Sequence, residues 1–478
     1  MVDPLFLGGE LDMVSRLETS RHKSQDSCWV IVHGFVYDVT DFLGAHPGGK
    51  EVILKHAGGD ATRIFDSFHS SDTIDKYLKP EQKLGPATGP EPPSKNDPPL
   101  EKPKEARLGQ ISLRNIINIP DFEVAASKVL SPKAFAFFKA GADAEITSRW
   151  NQKAWQAIRF RPRVLEPITK IDTSTAILNN HFSAPFFIGP AGGGKLAHGS
   201  GEILLTKAAA KHGILHWVCN NAGCTQQEMA DARSPGQVLY WQIYAMRDLT
   251  VTEKEIRQAV ASGYRGFCLT VDAIHVGKRE RDMRLVISES DSSGVQDEDD
   301  GLSGGVSVNR PAVYADFTWT SAIEWLRSIT DLPIAIKGIQ CWEDAALCMH
   351  YGVHPWLSNH GGRQLEGAPA AAETLVEIRQ HCPAVFERCE VIVDGGITRG
   401  SDIVKALALG AKGVALGRGF LFPLVFGEVG VSRAIRILKQ EVEVAMALLG
   451  VSSIDQIKPS HVDFSSLAYA GAVARAHL

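Results

Sequence analysis

The stretch His354-Pro355-Trp356-Leu357-Ser358-Asn359-His360-Gly361-Gly362-Arg363-Gln364 decides how this chain of 478 residues is interpreted. Its first four residues have the pattern of a short buried strand, and the glycines that follow predict a tight turn. His360 and Arg363 lie three residues apart on that turn. A base and a cation fixed together at the carboxyl end of a strand suit one task, the removal of a proton from an anion that the cation holds.

Outward from this stretch, short apolar runs alternate with helix-like segments from about Ala106 onward. The eight strand candidates are Phe186–Ala191, His216–Asn221, Val238–Ala245, Gly266–Ala273, Pro333–Ile339, His354–Gly361, Glu390–Gly396 and Gly413–Gly419. Strict alternation of strands and helices predicts an α/β fold with a parallel sheet, and eight such units predict a (β/α)8 TIM barrel. A doubly wound open sheet is the alternative, but no Gly-x-Gly-x-x-Gly motif opens the first unit.

The N-terminal segment has a different character. Cys28-Trp29-Val30-Ile31-Val32 and Phe35-Val36-Tyr37-Asp38-Val39 flank a His33-Gly34 turn, which predicts a β-hairpin. Helix-like stretches follow at Gly49–His56 and Asp60–Phe65. We therefore expect a small α+β domain ahead of the barrel.

A proline-rich stretch separates the two patterns. Seven prolines lie between Pro86 and Pro103 among Gly, Ser and charged residues, which predicts an extended linker. The expected organisation is a first domain over residues 10–85, a linker over 86–105 and the barrel domain over 106–478.

Bulk composition excludes several classes of protein. The net charge of −5 and pI near 6.4 argue against general nucleic-acid binding, and no apolar run reaches the length of a membrane span. The N-terminus lacks the order of basic and apolar segments that marks a secretory signal. Eight cysteines without a Cys-x-x-Cys motif predict reduced, mostly buried thiols. We expect a cytoplasmic location; the mitochondrial intermembrane space is the alternative if the N-terminus is incomplete.

One insert interrupts the barrel pattern. Ser288–Asn309 is rich in Ser, Gly and acidic residues and holds no basic residue. It predicts a solvated loop between the fourth and fifth strands. Disorder is the favoured interpretation, and a lid or a partner-docking role is the second.

His46 and His69 form a candidate metal site in the first segment. Two neutral imidazoles can ligate haem iron from opposite faces, and Pro47-Gly48-Gly49 allows a tight turn beside a flat macrocycle. With the Trp29 hairpin and the second histidine in the same order, the segment from about Leu11 to Leu84 resembles the cytochrome b5 family. The resemblance implies non-covalent haem b with two histidine ligands. A haem-free relic is the competing interpretation.

The strand ends of the barrel carry candidate cofactor ligands. Lys337 ends an otherwise apolar strand and can stabilise negative charge on a reduced cofactor. The loops after strands seven and eight are where such barrels bind phosphate, and they hold Asp394, Gly395, Gly396, Gly417 and Arg418. Glycine N–H groups and an arginine at this spacing suit a phosphorylated cofactor such as FMN.

Two further strand ends carry pairs of residues at period two. Thr270 and Asp272 are predicted on one side of strand four, where Asp272 can orient His360; capping the next helix is the competing role. Gln242 and Tyr244 share a face of strand three, and Tyr244 can hydrogen-bond a substrate hydroxyl unless it is only structural. Arg279 lies just beyond and can help to hold an anion.

These positions together resemble the family of FMN-dependent 2-hydroxy acid dehydrogenases and oxidases. The matching segments are Trp241–Tyr244, Thr270–Ala273, Ile336–Gly338, Ser358–Gln364, Asp394–Gly396 and Leu416–Arg418, within about Arg114 to Asp463. With the haem segment in front, the architecture resembles the flavocytochrome b2 family. This resemblance implies homotetramers, single-electron transfer from flavin to haem, and delivery to a cytochrome c-like acceptor.

The chain departs from the family pattern at three places. Phe137 stands where the family usually has a tyrosine that helps to bind the substrate carboxylate. Gly192 lies in a glycine-rich turn that replaces a Ser/Thr/Ala-rich turn under the flavin, and Cys219 replaces a serine that contacts it. We therefore expect a wider pocket, and the identity of the hydroxy acid stays open.

The leading hypothesis is an enzyme with two cofactors, FMN and haem b, that oxidises an (S)-2-hydroxy acid, lactate-like in type, to the 2-oxo acid. Arg363 and Arg279 bind the carboxylate, Tyr244 holds the hydroxyl, and His360 is the base, taking either the carbon-bound or the hydroxyl proton. The rivals are an oxidase or specialised-metabolism enzyme acting on a bulkier substrate, and an electron carrier with an inactive barrel. The intact His360, Asp272, Lys337 and Arg363 argue against the last.

Overall fold

The computed structural model describes residues 12–46, 50–90, 109, 111–290 and 313–467, with backbone alone at Ala45, Glu51 and 286–290. The chain divides into two compact units, one N-terminal and one that holds the rest of the described residues. Each unit is described by itself below. Pro47-Gly48-Gly49, most of the predicted linker and the predicted insert beyond Ser290 lie outside the described residues.

The N-terminal unit contains a five-stranded sheet. Its strands are β1 (Val14–Ser15), β2 (Lys23–Ser24), β3 (Ser27–Val32), β4 (Phe35–Asp38) and β5 (Lys83–Thr88), and they lie in the order β1-β5-β4-β3-β2. Short helices pack beside the sheet: Arg16–Thr19, Thr40–Ala45, Lys50–Leu54, Thr62–Phe68, Thr73–Tyr77 and Pro80–Gln82. A small apolar core forms around Cys28, Val30, Tyr37 and Leu43. Strand β5 continues three residues past position 85, into the predicted linker.

The predicted hairpin is present. Strands β3 and β4 pair antiparallel from Trp29 opposite Asp38 to Val32 opposite Phe35. His33 and Gly34 both have positive φ, 50° and 78°, as a two-residue turn with the twist of the flanking strands requires. Glycine allows this at the second position, and the short turn fixes the register of the sheet.

The second unit is a closed barrel of eight parallel strands, so the predicted fold class is confirmed. The strands are β9 (Phe186–Ile188), β10 (His216–Val218), β11 (Leu239–Ile243), β12 (Phe267–Thr270), β13 (Ile334–Ile339), β14 (His354–Leu357), β15 (Ile392–Val393) and β16 (Gly413–Leu416). Strand β16 pairs with β9 and closes the barrel. All eight predicted strands are present, but most end earlier than predicted because the residues at their carboxyl ends turn into the site loops.

Helices surround the barrel and cross between its strands. They are Leu113–Asn115, Ile119–Val129, Pro132–Lys139, Ile146–Ala157, Gly194–Ala197, Ile203–His212, Gln226–Asp231, Leu249–Ala261, Glu280–Ser290, Trp319–Ile329, Trp342–His350, Ala371–His381, Val385–Arg388, Gly400–Ala408, Arg418–Leu421, Pro423–Phe426, Gly427–Leu449, Ile454–Gln456 and Pro459–His461. In the described ranges, none of these helices combines the length and apolar character that crossing a membrane requires.

Two antiparallel pairs lie outside the barrel sheet. Strand β6 (Arg159–Phe160) pairs with β17 (Val462–Asp463), and β7 (Thr175–Ile177) pairs with β8 (Asn180–Phe182). The β7–β8 hairpin precedes β9, and the Tyr240 hydroxyl donates to the Ile177 carbonyl at 2.7 Å. The hairpin therefore covers the amino-terminal end of the barrel.

The lower interior of the barrel is aromatic. Phe187, Trp217, Tyr240 and Trp356 come from β9, β10, β11 and β14, and all four are fully buried. The ring centroid of Trp217 lies 4.8 Å from that of Trp356 and 4.8 Å from that of Tyr240. These side chains fill the barrel as a packed layer, which leaves the carboxyl end for the site.

Candidate active site

A polar layer lies above the aromatic layer. Along each strand the side chains that point into the barrel recur at every second residue. Two residues beyond the aromatic-layer positions on β10, β11, β12, β13, β14, β15 and β16 come Cys219, Gln242, Thr270, Lys337, Ser358, Asp394 and Gly417. Hydrogen bonds join neighbours within this layer, as from Gln242 Nε2 to Thr270 Oγ1 at 3.0 Å. The structure thus brings the strand-end residues predicted for the cofactor to one face.

The loop that follows β14, Ser358–Gly362, is called the catalytic loop and has an unusual backbone conformation. His360 has φ of 58°, and Gly361 and Gly362 also have positive φ, 64° and 75°. A left-handed non-glycine residue is uncommon and persists where its surroundings hold it in place. Ser358 Oγ accepts the backbone N–H of His360 at 3.0 Å, and Asn359 Oδ1 accepts that of Gly362 at 3.0 Å. The polar side chains on either side of the loop therefore fix its conformation.

His360 is placed between a carboxylate and a phenol. Its Nδ1 lies 2.9 Å from Asp272 Oδ1, and its Nε2 lies 3.4 Å from the Tyr244 hydroxyl. The Asp272 side chain is only 2% exposed, whereas that of His360 is 21% exposed. Because the carboxylate holds the Nδ1 proton, Nε2 is the basic nitrogen and faces Tyr244. Asp272 precedes the helix Glu280–Ser290 by eight residues, so it does not cap that helix.

Electrostatics keep this pair as an ionised carboxylate beside a neutral imidazole. Burial works to raise the pKa of Asp272, but His360 and Lys337 outweigh it and the pKa is lowered. Burial lowers the pKa of His360; Asp272 opposes this, while Lys337 and Arg279 add to it. His360 is therefore unprotonated at neutral pH, as a general base must be.

Guanidinium groups surround the loop. Arg363 donates through one terminal nitrogen to the carbonyls of Phe137 at 2.9 Å and Ala140 at 2.6 Å. Within the described ranges its other guanidinium nitrogens donate no hydrogen bond, so they are available to an anion. Burial, Arg279 and Arg418 all lower the pKa of Arg363, so positive charge is concentrated here. An anion at this position would relieve that repulsion.

Arg418, predicted as a phosphate ligand, donates to two backbone carbonyls. It donates to the Gly361 carbonyl at 2.5 Å and to the Lys139 carbonyl at 3.4 Å. The guanidinium therefore links the end of β16 to the catalytic loop.

Lys337 belongs to a buried polar cluster. Its Nζ lies 3.0 Å from Ser358 Oγ and 3.5 Å from Asp394 Oδ2, and Ser358 Oγ donates to Asp394 Oδ1 at 2.7 Å. Burial opposes the charged form of Lys337, but Asp394 and Asp272 outweigh it, and the pKa of Lys337 is raised. A permanently charged ammonium group therefore lies in the polar layer.

The four glycines predicted to contact the cofactor are required for different structural reasons. A Cβ on Gly396 would lie 2.3 Å from Asn151 backbone atoms, and one on Gly192 would lie 2.4 Å from the Asn221 carbonyl oxygen. At Gly395 a Cβ would lie 3.4 Å from Asn151 Nδ2, an ordinary contact, so its φ of 88° rather than packing accounts for the glycine. Among the described residues, a Cβ on Gly417 would have one neighbouring atom within 4 Å, the Ala191 Cβ at 3.6 Å. Gly417 is thus the position where backbone is free to approach a ligand.

Phe137 lies beside Arg363. The Arg363 guanidinium carbon is 5.5 Å from the centre of the Phe137 ring, and a Cβ on Gly193 would lie 3.0 Å from that ring. The Phe137 ring is therefore in contact range of both the arginine and the glycine-rich turn that follows β9.

The residues present fit a flavin above the polar layer. Asn220 Oδ1 is buried and has no hydrogen-bond partner within the part of the chain that the structure describes. Buried polar atoms are nearly always satisfied, so this oxygen calls for a ligand or water that donates. Cys219, next to it, is buried, and burial raises the pKa of its thiol to about 12, so the thiol is neutral.

The N-terminal unit fits a haem. The ring centroids of His46 and His69 are 6.0 Å apart. With metal–imidazole bonds of about 2 Å, two rings on opposite sides of one iron have centroids roughly 6 Å apart. Burial and the neighbouring His46 lower the pKa of His69 to about 4, so this imidazole is neutral, as metal ligation requires. Phe42 and Phe65 flank the pair.

Several participants had no signal in the sequence. Asn151 and Asn359 exchange two amide hydrogen bonds, 2.8 and 2.7 Å, which tie the helix Ile146–Ala157 to the catalytic loop. Glu202 accepts backbone N–H groups from the loops after β9 and β10. The Ser358 hydroxyl joins Lys337, Asp394 and the backbone of His360, which the sequence did not predict. Such contacts join distant segments, and no local pattern identifies them.

Comparison with known proteins assigns both units. The sequence model for FMN-dependent dehydrogenases matches residues 126–464, and the model for cytochrome b5-like haem/steroid-binding domains matches residues 15–88. The first match covers well over half of the chain. The chain belongs to the FMN-dependent dehydrogenase family.

Individual relatives refine this assignment. A cytochrome-type L-lactate dehydrogenase of Wickerhamomyces anomalus is 39% identical over 94% of this chain and 79% of its own length. A peroxisomal (S)-2-hydroxyacid oxidase of Arabidopsis thaliana is 40% identical, but it covers 73% of this chain. A solved flavocytochrome b2 variant with pyruvate bound has a TM-score of 0.70 at 37% identity, over 76% of this chain and 91% of that chain.

As a member of the FMN-dependent dehydrogenase family with a haem domain, the chain is an FMN- and haem-dependent oxidoreductase of 2-hydroxy acids. The expected resemblance to the flavocytochrome b2 family is confirmed. The oxidase alternative is not favoured, because the cytochrome-type relative matches the haem unit as well as the barrel.

All eight cysteines carry free thiols, five of them buried.

Proposed function

We propose that the chain oxidises an (S)-2-hydroxy acid of the L-lactate type to the 2-oxo acid and passes the electrons through haem b to a cytochrome c-like acceptor. The observation that carries this proposal is the His360 pair: a neutral imidazole whose Nδ1 is held by Asp272 and whose Nε2 faces Tyr244, beside Arg363. The name of the Wickerhamomyces relative supports the substrate type.

Each residue has a proposed task. Arg363 and Arg279 bind the substrate carboxylate, which removes the repulsion between the guanidinium groups. Tyr244 holds the substrate hydroxyl close to His360 Nε2, and Nε2 takes the proton that leaves the substrate. Asp272 stabilises the imidazolium that results. Phe137 borders the carboxylate site.

Cofactor contacts are also proposed. FMN, when bound, supplies a two-electron acceptor, and haem iron held by His46 and His69 passes electrons on singly. Lys337 stabilises negative charge on the flavin. The remaining proposed flavin contacts are Gln242, Thr270, Asp394, Gly395, Gly396, Gly417, Arg418, Cys219 and Gly192.

The domain organisation, assembly and location of the protein are also proposed. We propose a haem domain over residues 10–85, a linker over 86–105 and a catalytic domain over 106–478, assembled as a homotetramer. A cytoplasmic location is proposed, with the mitochondrial intermembrane space as the alternative. Gel filtration with light scattering tests the assembly, and a dimer or monomer would contradict it.

The visible spectrum tests the function directly. Adding (S)-lactate to the anaerobic oxidised holoenzyme should bleach the flavin and then reduce the haem, as the sharpened haem bands will show. Flavin bleaching in air with peroxide formation and no haem reduction would favour an oxidase. If no 2-hydroxy acid in a panel of increasing side-chain size bleaches the flavin, the proposal is wrong.

A further inference from the structure

A buried tryptophan contacts the polar layer from below. Trp356 is fully buried in β14, and its indole Nε1 donates to Asp394 Oδ2 at 3.0 Å. In the register of the barrel Trp356 pairs with Lys337 on one side and with Ile392 on the other, two residues before Asp394. The indole is thus the point where the aromatic layer hydrogen-bonds to the charged cluster above it.

The indole and the lysine share one carboxylate oxygen. Lys337 Nζ lies 3.5 Å from Asp394 Oδ2, the same oxygen that accepts the indole N–H, while Oδ1 accepts the Ser358 hydroxyl. Lys337 Nζ also lies 5.8 Å from the centre of the Trp356 ring. A hydrogen bond to an ionised oxygen withdraws charge from it, so the indole weakens the hold of Asp394 on the ammonium group.

We propose that Trp356 is a positioning residue that sets the electrostatic field at the flavin. By donating to Asp394 Oδ2, it leaves more of the Lys337 charge directed toward the open end of the barrel. This inference rests on the proposed placement of Lys337 at the flavin. In a buried, low-dielectric site a single donor has a large effect on a neighbouring charge pair.

The barrel supplies a matched control. Trp217 is a second fully buried indole in the same layer, 4.8 Å from Trp356 between ring centroids. Its Nε1 has no hydrogen-bond partner among the residues that the structure describes. Replacing either residue by Phe removes similar apolar volume, but only Trp356→Phe removes a donor from a carboxylate.

The test is the midpoint potential of the flavin in the holoenzyme, measured by anaerobic spectroelectrochemical titration. Trp356→Phe should lower this potential by the equivalent of about tenfold in the reduction equilibrium, about 30 mV for a two-electron couple. Trp217→Phe should leave it unchanged. Lys337→Met, which removes the charge itself, should lower it further.

The outcomes separate the inference from the proposal beneath it. If Lys337→Met leaves the potential unchanged, Lys337 does not act on the flavin and both ideas fail. If Lys337→Met lowers it but Trp356→Phe does not, or Trp217→Phe lowers it equally, only the role of Trp356 is overturned. Where Trp356→Phe does not bind flavin, benzothienylalanine at position 356 keeps the ring shape without the N–H and should give the same shift.

Discussion

In the N-terminal unit the two neighbouring imidazoles, His46 and His69, are 23 residues apart in the chain. In the barrel, His360 contacts Asp272 and Tyr244, which are 88 and 116 positions away in the sequence. The first site depends on one short stretch of chain and a small core. The second depends on closure of a barrel that brings the ends of several strands together. Damage to one site should therefore leave the other site intact.

Loss of a haem ligand tests that independence with the largest expected effect. His69→Ala should abolish bound haem with two histidine ligands, because one imidazole cannot replace two. FMN content and substrate-driven flavin bleaching should stay normal. Absorption spectra and cofactor content after reconstitution measure both, with His33→Asn, a left-handed exposed histidine of the same unit, as control. Loss of FMN from His69→Ala would contradict the separation.

Removal of the base, His360, should impair flavin reduction and leave the haem site intact. His360→Gln should slow flavin reduction by about 10²–10⁴-fold, the usual contribution of general base catalysis, and leave haem and FMN bound. Stopped-flow absorbance at the flavin band under anaerobic conditions measures it. His381→Gln, an exposed histidine at the end of the helix Ala371–His381, serves as control. A near-normal rate in His360→Gln would remove His360 from the mechanism.

Replacing Asp272, the carboxylate that holds His360, should slow the reaction less and should change its pH dependence. Asp272→Asn loses a hydrogen bond to a charged group, about 1.5–3 kcal/mol, or roughly 10- to 150-fold in rate. Asp272 raises the pKa of His360 against burial, so the variant should lower that pKa further. Since only the neutral imidazole is active, the acid limb of kcat/KM should move to lower pH. An acid limb that stays in place, or moves up, would show that another group titrates.

The smallest effect is expected at the anion site. Phe137→Tyr adds a hydroxyl near Arg363 and should tighten binding of small hydroxy acids by about tenfold, since the lower end of the range for a hydrogen bond to a charged group is about 1.5 kcal/mol. Inhibition by unreactive carboxylates measures the affinity, with Phe135→Tyr on the same helix as control. If binding weakens instead, Phe137 selects for an apolar substrate group; if nothing changes, it only packs.

The sequence predicted the barrel and most of its chemistry because both follow simple periods. Alternation of apolar runs and helices indicated eight strands, and period two paired Thr270 with Asp272 and Gln242 with Tyr244. Lys337 was predicted to end its strand, but β13 continues to Ile339. The hydrogen bonds between side chains around the site could not be predicted from the sequence. The bond from Trp356 to Asp394 and the amide pair of Asn151 and Asn359 join residues 38 and 208 positions apart, and their existence depends on three-dimensional packing alone.

The carboxyl ends of the strands were also predicted inaccurately. The prediction extended β14 to Gly361, but the strand stops at Leu357 because three left-handed residues, His360 to Gly362, turn the chain away. Asp272 was predicted by strand periodicity, although β12 ends at Thr270 and Asp272 already lies in the loop beyond. The functional residues lie in loops just beyond the strands, where the two-residue periodicity of a strand no longer predicts which way a side chain points.

The aromatic layer also gives the barrel a single mouth. Phe187, Trp217, Tyr240 and Trp356 fill the lower interior, and the β7–β8 hairpin covers that end. Substrate, product and water must therefore use the same entrance above the polar layer. The 2-oxo acid must therefore leave before the next hydroxy acid can enter, so product release and substrate binding compete for the same opening.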